Sequence, residues 1–189
     1  MKRDNFILRL YQLKQTVFTS KELFLLFPEI EKNNLKARMN YYVKKGMIKN
    51  PRRGIYAKKD YDFLEMAAKI FTPAYISLET VLEKEGVIFQ HYKTIFVVSY
   101  LTRKIEVENQ EIQYRRIKEE ILLSRDGLIE KEGHFEAERE RAFLDALYLY
   151  KDYYFDNLEI LDKKRIFSLV KNYHSKVLEK KVTQLFQNV

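Results

Sequence analysis

The sequence predicts an α+β fold in two parts, with helices at both ends and a small antiparallel sheet in the second part. Three observations carry this. Apolar residues recur at helical spacing through roughly the first 45 residues and again from Phe135 onward. Between these stretches, residues 104–115 alternate apolar and polar side chains, the period of a half-buried strand. Charge is also segregated. Residues 1–60 hold 15 Lys+Arg and 5 Asp+Glu, a net of +10, and residues 61–189 hold 20 and 22, a net of −2.

Composition narrows the class. The chain has 189 residues, 46% hydrophobic and 33% charged, with only 5 Gly and 3 Pro, so it can bury a sizeable core and is not a disordered tail. The absence of Cys excludes disulfides, thiolate-bound metals and thiol catalysis. No apolar run approaches 18 residues, so no membrane-spanning helix or membrane partner is expected. Met1-Lys2-Arg3-Asp4 leads into a short amphipathic stretch without a long apolar core or cleavage site, and the expectation is a cytoplasmic protein.

The elements of residues 1–60 follow in order. Phe6, Ile7, Leu10, Tyr11 and Leu13 form the stripe of a helix near 3–14. Thr16-Val17-Phe18 is a short extended segment. Thr19-Ser20-Lys21-Glu22 has the spacing of a capping box, opening a second helix that buries Leu23 and stops before Pro28. Asn33 or Asn34 is the expected cap of a third helix, with Leu35, Met39, Tyr42 and Val43 inward and Gly46 as the left-handed residue after its end. Met47–Tyr56 reads as a hairpin, two apolar ends flanking Asn50-Pro51-Arg52-Arg53-Gly54. Helix, strand, helix, helix, hairpin is the order of a winged helix-turn-helix, here carrying the whole excess of positive charge.

That placement defines candidate binding residues. With its apolar stripe inward, the third helix turns Lys36, Arg38, Asn40, Tyr41, Lys44 and Lys45 outward. A major groove accepts one helix, and Arg38 and Asn40 carry the paired hydrogen-bonding groups that suit guanine and adenine. Lys49, Arg52 and Arg53, read as the hairpin tip, would meet phosphates of double-stranded DNA. Two blander readings stand beside this one: Tyr41 as partly core, and the basic face as a protein-binding or merely solvated surface.

Residues 61–189 follow without a linker. Tyr61, Phe63, Leu64, Ala67 and Ile70 suggest a helix, broken by Thr72-Pro73-Ala74-Tyr75-Ile76-Ser77. Ser77 is the expected cap of the next helix, with Leu78, Val81 and Leu82 inward and Gly86 at its end. Strand character is expected from Val87, with Ile95–Val98 buried and a hairpin joined at Asn109-Gln110. Ile121-Leu122-Leu123 reads as another short strand, and the remainder from Phe135 as helices. Glu136-Ala137-Glu138-Arg139-Glu140-Arg141 reads as the polar start of a helix.

Little in this part points to chemistry. His91, His134 and His174 lack a partner at metal-ligand spacing, and no glycine-rich phosphate loop or nucleophile elbow is present. No catalytic residue, metal or cofactor is expected.

Two segments carry a likeness. Pro73–Leu82, followed by Gly86-Val87-Ile88, and Glu140–Leu147 resemble conserved stretches of the AbiEi antitoxins of type IV abortive-infection systems, with Phe143 where a Leu is usual. Gly54-Ile55-Tyr56 resembles the Gly-x-Tyr near that family's wing. The likeness covers about residues 10–150. It implies a transcriptional autorepressor acting on operator DNA. It also implies neutralisation of a co-encoded nucleotidyltransferase-type toxin without a stable complex. The alternative from another class is a DNA-targeted nuclease or modifying enzyme with residues 61–189 catalytic; a third is a winged-helix adaptor that binds protein alone.

Overall fold

The computed structural model describes residues 3–187. Met1 and Lys2, at the head of the N-terminal stretch considered above, and the last two residues of the C-terminal helical run lie outside them. The architecture is α+β, with a three-stranded antiparallel sheet followed by a six-stranded mixed one.

Helix α1 (Arg3–Gln12) buries Phe6 and Leu10. Strand β1 (Val17–Thr19) leads into α2 (Ser20–Leu26), and the capping box forms: Glu22 N–H donates to Thr19 Oγ1 at 3.1 Å, and Thr19 N–H to Glu22 Oε2 at 2.6 Å. Helix α3 (Lys32–Lys44) starts earlier than expected, with Glu31 at the N-cap. Asn33 and Asn34 do not cap it; their amides donate to the Glu31 carboxylate. A turn closed by Ile30 N–H on the Phe27 carbonyl, 3.1 Å, brings the chain round after Pro28, so the helix begins before either Asn is reached. Gly46, at φ +64°, ends α3: its N–H reaches Val43 O and Met47 N–H reaches Tyr42 O, both at 2.9 Å. The hairpin is β2 (Lys49–Arg52) and β3 (Ile55–Ala57), and the sheet runs β1-β3-β2. Leu23, Phe27, Leu35, Met39 and Tyr42 close this first core around Phe6, whose ring lies 4.5 Å from Phe27 and 5.7 Å from Tyr42.

Val17, Ile55 and Ala57 face the other way, into a second and larger core. Its elements are α4 (Phe63–Ile70), β4 (Ala74–Ile76), α5 (Glu79–Lys84), β5 (Ile95–Ser99), β6 (Arg103–Val107), β7 (Gln110–Arg116), α6 (Glu119–Leu123), β8 (Leu128–Lys131), β9 (His134–Ala137), α7 (Arg139–Leu149), α8 (Lys163–Leu169) and α9 (Lys176–Gln187), with a 3-10 turn at Val170–Tyr173.

The sheet order β6-β7-β5-β4-β9-β8 corrects the expected small antiparallel sheet. The β6–β7 hairpin inserts β7 beside β5, so that pair is parallel, with Ile95 opposite Ile112 and Val97 opposite Tyr114. Strand β4, expected only as a helix break, is central and pairs in parallel with β9 through Ile76 and Glu136. Such pairing joins segments distant in sequence, and no local spacing announces it.

Other expectations are also revised. Leu78, at φ 57°, occupies the N-cap of α5, and Ser77 is instead buried with its hydroxyl donating to Asp145. Strand begins at Ile95, not Val87. The hairpin turn is Glu108-Asn109, both at positive φ, one residue earlier than expected. Ile121–Leu123 lies in α6, not a strand. Phe135 and Glu136 belong to β9, and the helix starts only at Arg139.

Helix α7 is buried from Glu140 to Leu147. Asp145 lies one helical turn from Arg141, whose Nε is 3.7 Å away, and accepts hydrogen bonds from Ser77 Oγ (2.7 Å), Tyr173 Oη (2.7 Å) and Tyr75 Oη (3.2 Å). Burial pushes the Asp145 carboxyl up from its ordinary value, against the pull of Arg141 and the three hydroxyls. Among the described residues no helix is long and apolar enough to cross a membrane.

Candidate nucleic-acid interface

Leu35, Met39 and Tyr42 anchor α3, and the helical period then turns Lys36, Asn40 and Lys44 into solvent. Across from them stands the hairpin, whose turn is shaped by Asn50: its amide donates to Arg52 O at 2.9 Å and Ile55 O at 2.6 Å. Gly54, at φ +81°, completes the turn, and Ser20 N–H closes on its carbonyl at 2.9 Å. Between helix and hairpin lies a cavity of about 450 Å³ lined by Lys36, Asn40, Asn50 and Arg53 together with Phe24 and Tyr56. Burial pushes the Tyr56 phenol up.

The nine candidate residues divide. Lys36, Asn40 and Arg53 meet on this groove, and Lys44 is exposed on the same helix. Tyr41 is 42% exposed, its ring edge-on to Tyr42 at 5.4 Å and beneath the Lys45 ammonium at 5.9 Å, so it is partly packed and partly surface, away from the groove lining. Arg38 lies on the opposite flank of α3, half-buried, and its charge helps hold the Glu29 carboxyl down, after the Glu29 backbone hydrogen bond and Arg9. Lys49 is not at the hairpin tip. It pairs with Ala57 at the base, its Nζ 3.3 Å from Glu108 and 5.1 Å from the Tyr61 ring centroid. Arg52 ends β2, but its guanidinium turns back over the Phe71 ring at 5.5 Å. Simple alternation would separate Lys49 from Arg52, but the register shifts between them, three residue steps on β2 opposing two from Ile55 to Ala57. This irregularity leaves Asn50 and Arg53 on the groove while Lys49 and Arg52 turn to other partners. Ser20, Phe24 and Asn50 were missed as groove residues. The Asn-Pro pair just before the turn was the available signal for Asn50, and Phe24 had none, because it lines the groove only when α2 and the hairpin are brought together.

The groove is carried on a firm base. Lys69 of α4, 6% exposed, donates to Val17 O at 2.6 Å and Glu65 Oε1 at 2.8 Å and lies 3.1 Å from Glu22 Oε1. Glu65 Oε2 accepts from Thr16 N–H at 2.8 Å and Thr16 Oγ1 at 2.6 Å. This buried polar seam ties β1 and the start of α2 to α4, and Glu108 adds contacts to Lys49 and Tyr61.

Two of the three histidines have partners that spacing did not disclose. Exposed His91 lies beside Glu83, and buried His134 Nε2 is 3.2 Å from Glu136 Oε1. His134 and Lys84 hold the Glu136 carboxyl down at about 2. Among the described residues no group of three or more His, Asp or Glu is placed to hold a metal ion. Comparison with models of known protein families gives no match, and comparison with curated proteins gives none.

Proposed function

We propose that residues 1–60 are a winged helix-turn-helix that binds double-stranded operator DNA, and that the chain represses its own operon and acts as a type IV antitoxin. The observation that carries the DNA reading is the groove in which Lys36 and Asn40 of α3 face Arg53 of the hairpin, within a segment of net charge +10. The element order and the β1-β3-β2 sheet support it. In this reading α3 enters the major groove, Asn40 reads a base edge, and Lys36, Lys44, Lys45 and Arg53 neutralise phosphates.

The antitoxin reading rests on the likeness of Pro73–Ile88 and Glu140–Leu147 to AbiEi antitoxins. Tyr75, Ser77, Arg141 and Asp145 within them form one buried network, so these stretches act as fold determinants, with residues 61–189 as a non-catalytic body. The toxin is opposed without stable binding.

Fluorescence anisotropy on DNA upstream of the coding sequence tests the DNA reading. With about four to six phosphate contacts, log K falls against log salt with a slope of roughly −4 to −5. Asn40→Ala lowers the preference for operator over random DNA by roughly 5- to 150-fold, the equivalent of about 1–3 kcal/mol. Arg53→Ala weakens both and lowers the slope by about one unit. Arg52→Ala, its guanidinium held over Phe71, leaves both nearly unchanged. A slope near zero, or equal losses from Arg52→Ala and Arg53→Ala, defeats the assignment. For the antitoxin reading, an adjacent reading frame encoding a growth-arresting nucleotidyltransferase that this chain relieves is the supporting result; a neighbour without that activity refutes it.

A further inference from the structure

We propose that the surface where the loop after α5 meets the loop after α7 docks an arginine side chain presented by a partner polypeptide. A cavity of about 290 Å³ opens there. Four aromatic side chains, Phe89, Tyr92, Tyr153 and Tyr154, and two carboxylates, Asp152 and Asp156, line it, and the rest of the lining is neutral. In a chain of net charge +8, a pocket with two carboxylates and no basic residue selects for a cation. Aromatic faces attract cations through the ring quadrupole, and a guanidinium can stack on a ring while its edge hydrogen-bonds a carboxylate. Lysine's compact ammonium makes poorer use of both.

The site is built in advance. Phe89 N–H donates to Asp156 Oδ2 at 2.8 Å, and the N–H groups of Asp156 and Asn157 both reach Val87 O at 3.1 Å, so the two loops are pinned together. The Tyr153 ring is stacked on Tyr150 at 5.1 Å. The same tyrosine layer already holds one guanidinium from within, Arg115 at 4.7 Å from the Tyr150 ring centroid. The field at the pocket is negative: after burial, Glu79, Glu83 and Asp156 all push the Tyr92 phenol up. Asp152 has no hydrogen-bond or ion-pair partner among the described residues. Of the lining rings, Phe89 and Tyr154 are 71% and 81% exposed, an aromatic rim wider than a small cation would cover. A buried arginine ringed by aromatic contacts is a recurring anchor of protein interfaces, and this rim fits the polypeptide around one. No residue of 1–60 takes part, so the inference stands apart from the DNA reading.

The test uses the full chain and nuclear magnetic resonance of its aromatic side chains. The probes are a blocked glycine-arginine-glycine-arginine-glycine peptide, its citrulline equivalent and tetramethylammonium chloride. The arginine peptide is expected to shift the ring signals of Phe89, Tyr153 and Tyr154 in a saturable way, at least tenfold more tightly than the citrulline peptide. Asp152→Asn and Tyr154→Ala change exposed side chains, leave the melting temperature unaltered, and each weaken binding about two- to fivefold. The proposal is overturned if arginine and citrulline peptides bind alike, if the double variant binds as the parent does, or if tetramethylammonium binds as tightly as the peptide, which would make this a small-cation pocket.

Discussion

Replacing Asp145 by alanine removes the acceptor on which the larger core converges. Its carboxylate takes hydrogen bonds from Ser77, Tyr173 and Tyr75 and faces Arg141, and the side chains of Asp145 and Arg141 are both 0% exposed. Alanine leaves three buried hydroxyls short of a partner and one buried guanidinium without its counter-charge. Hydrogen bonds to a charged group are worth about 1.5–3 kcal/mol each. They do not add here, because all three end on one carboxylate and Tyr173 Oη can fall back on the Arg141 carbonyl at 3.3 Å. The cost of breaking a buried ion pair by removing one member, about 3–5 kcal/mol, is therefore the better guide. Each kcal/mol lowers the melting temperature of a chain this size by about 2–4 °C, so a fall of roughly 6–20 °C is expected. Thermal melts and urea titrations followed by circular dichroism measure it. Asp145→Asn, which keeps the shape and one acceptor oxygen, loses less. Arg141→Met combined with Asp145→Ala costs clearly less than the two single changes together, because the stranded charge is gone. A loss under about 1 kcal/mol for Asp145→Ala, or strict additivity in the double variant, would refute this account of the core.

Two further expectations concern the seam and the pH response. A Cβ at Gly133, where φ is +87°, would stand 2.1 Å from Glu65 Oε1, and Glu65 is held by Lys69 and Thr16. Gly133→Ala therefore costs about 2–4 kcal/mol, more than backbone strain by itself. Gly46→Ala, at φ +64° with no atom within 4 Å, costs only about 1 kcal/mol, and equal losses in urea titrations would contradict the steric argument. Glu136 is held at about 2 from an ordinary 4.5, chiefly by His134 and then Lys84. A folded pKa below the unfolded one gives stability that is complete above about pH 4.5 and is lost as pH falls towards 2. Denaturation midpoints between pH 5 and 2 should fall less steeply in Glu136→Gln; an unchanged slope would show that Glu136 does not contribute.

Sequence by itself determined the features settled within a few residues. The Thr19–Glu22 capping box, the left-handed Gly46, the end of α5 at Gly86, and the inward face of α3 through Leu35, Met39 and Tyr42 all stand as the spacing predicts, since each depends on backbone groups one turn away. The concentration of charge in residues 1–60 was likewise visible without coordinates. Tertiary structure decided what depends on distant neighbours. Ala74–Ile76 looks like an interruption but is a central strand, because β5 and β9 supply the hydrogen bonds on its two sides. Ile121–Leu123 has the composition of a strand but forms a helical turn, with Ile121 and Leu122 in the core. Lys49, Arg52 and Arg53 are equivalent in a charge count, yet Glu108 and Phe71 draw the first two towards the body and leave Arg53 on the groove with Lys36 and Asn40. A side chain's charge is legible in its residue type, but its direction is set by the partner that arrives from elsewhere in the chain.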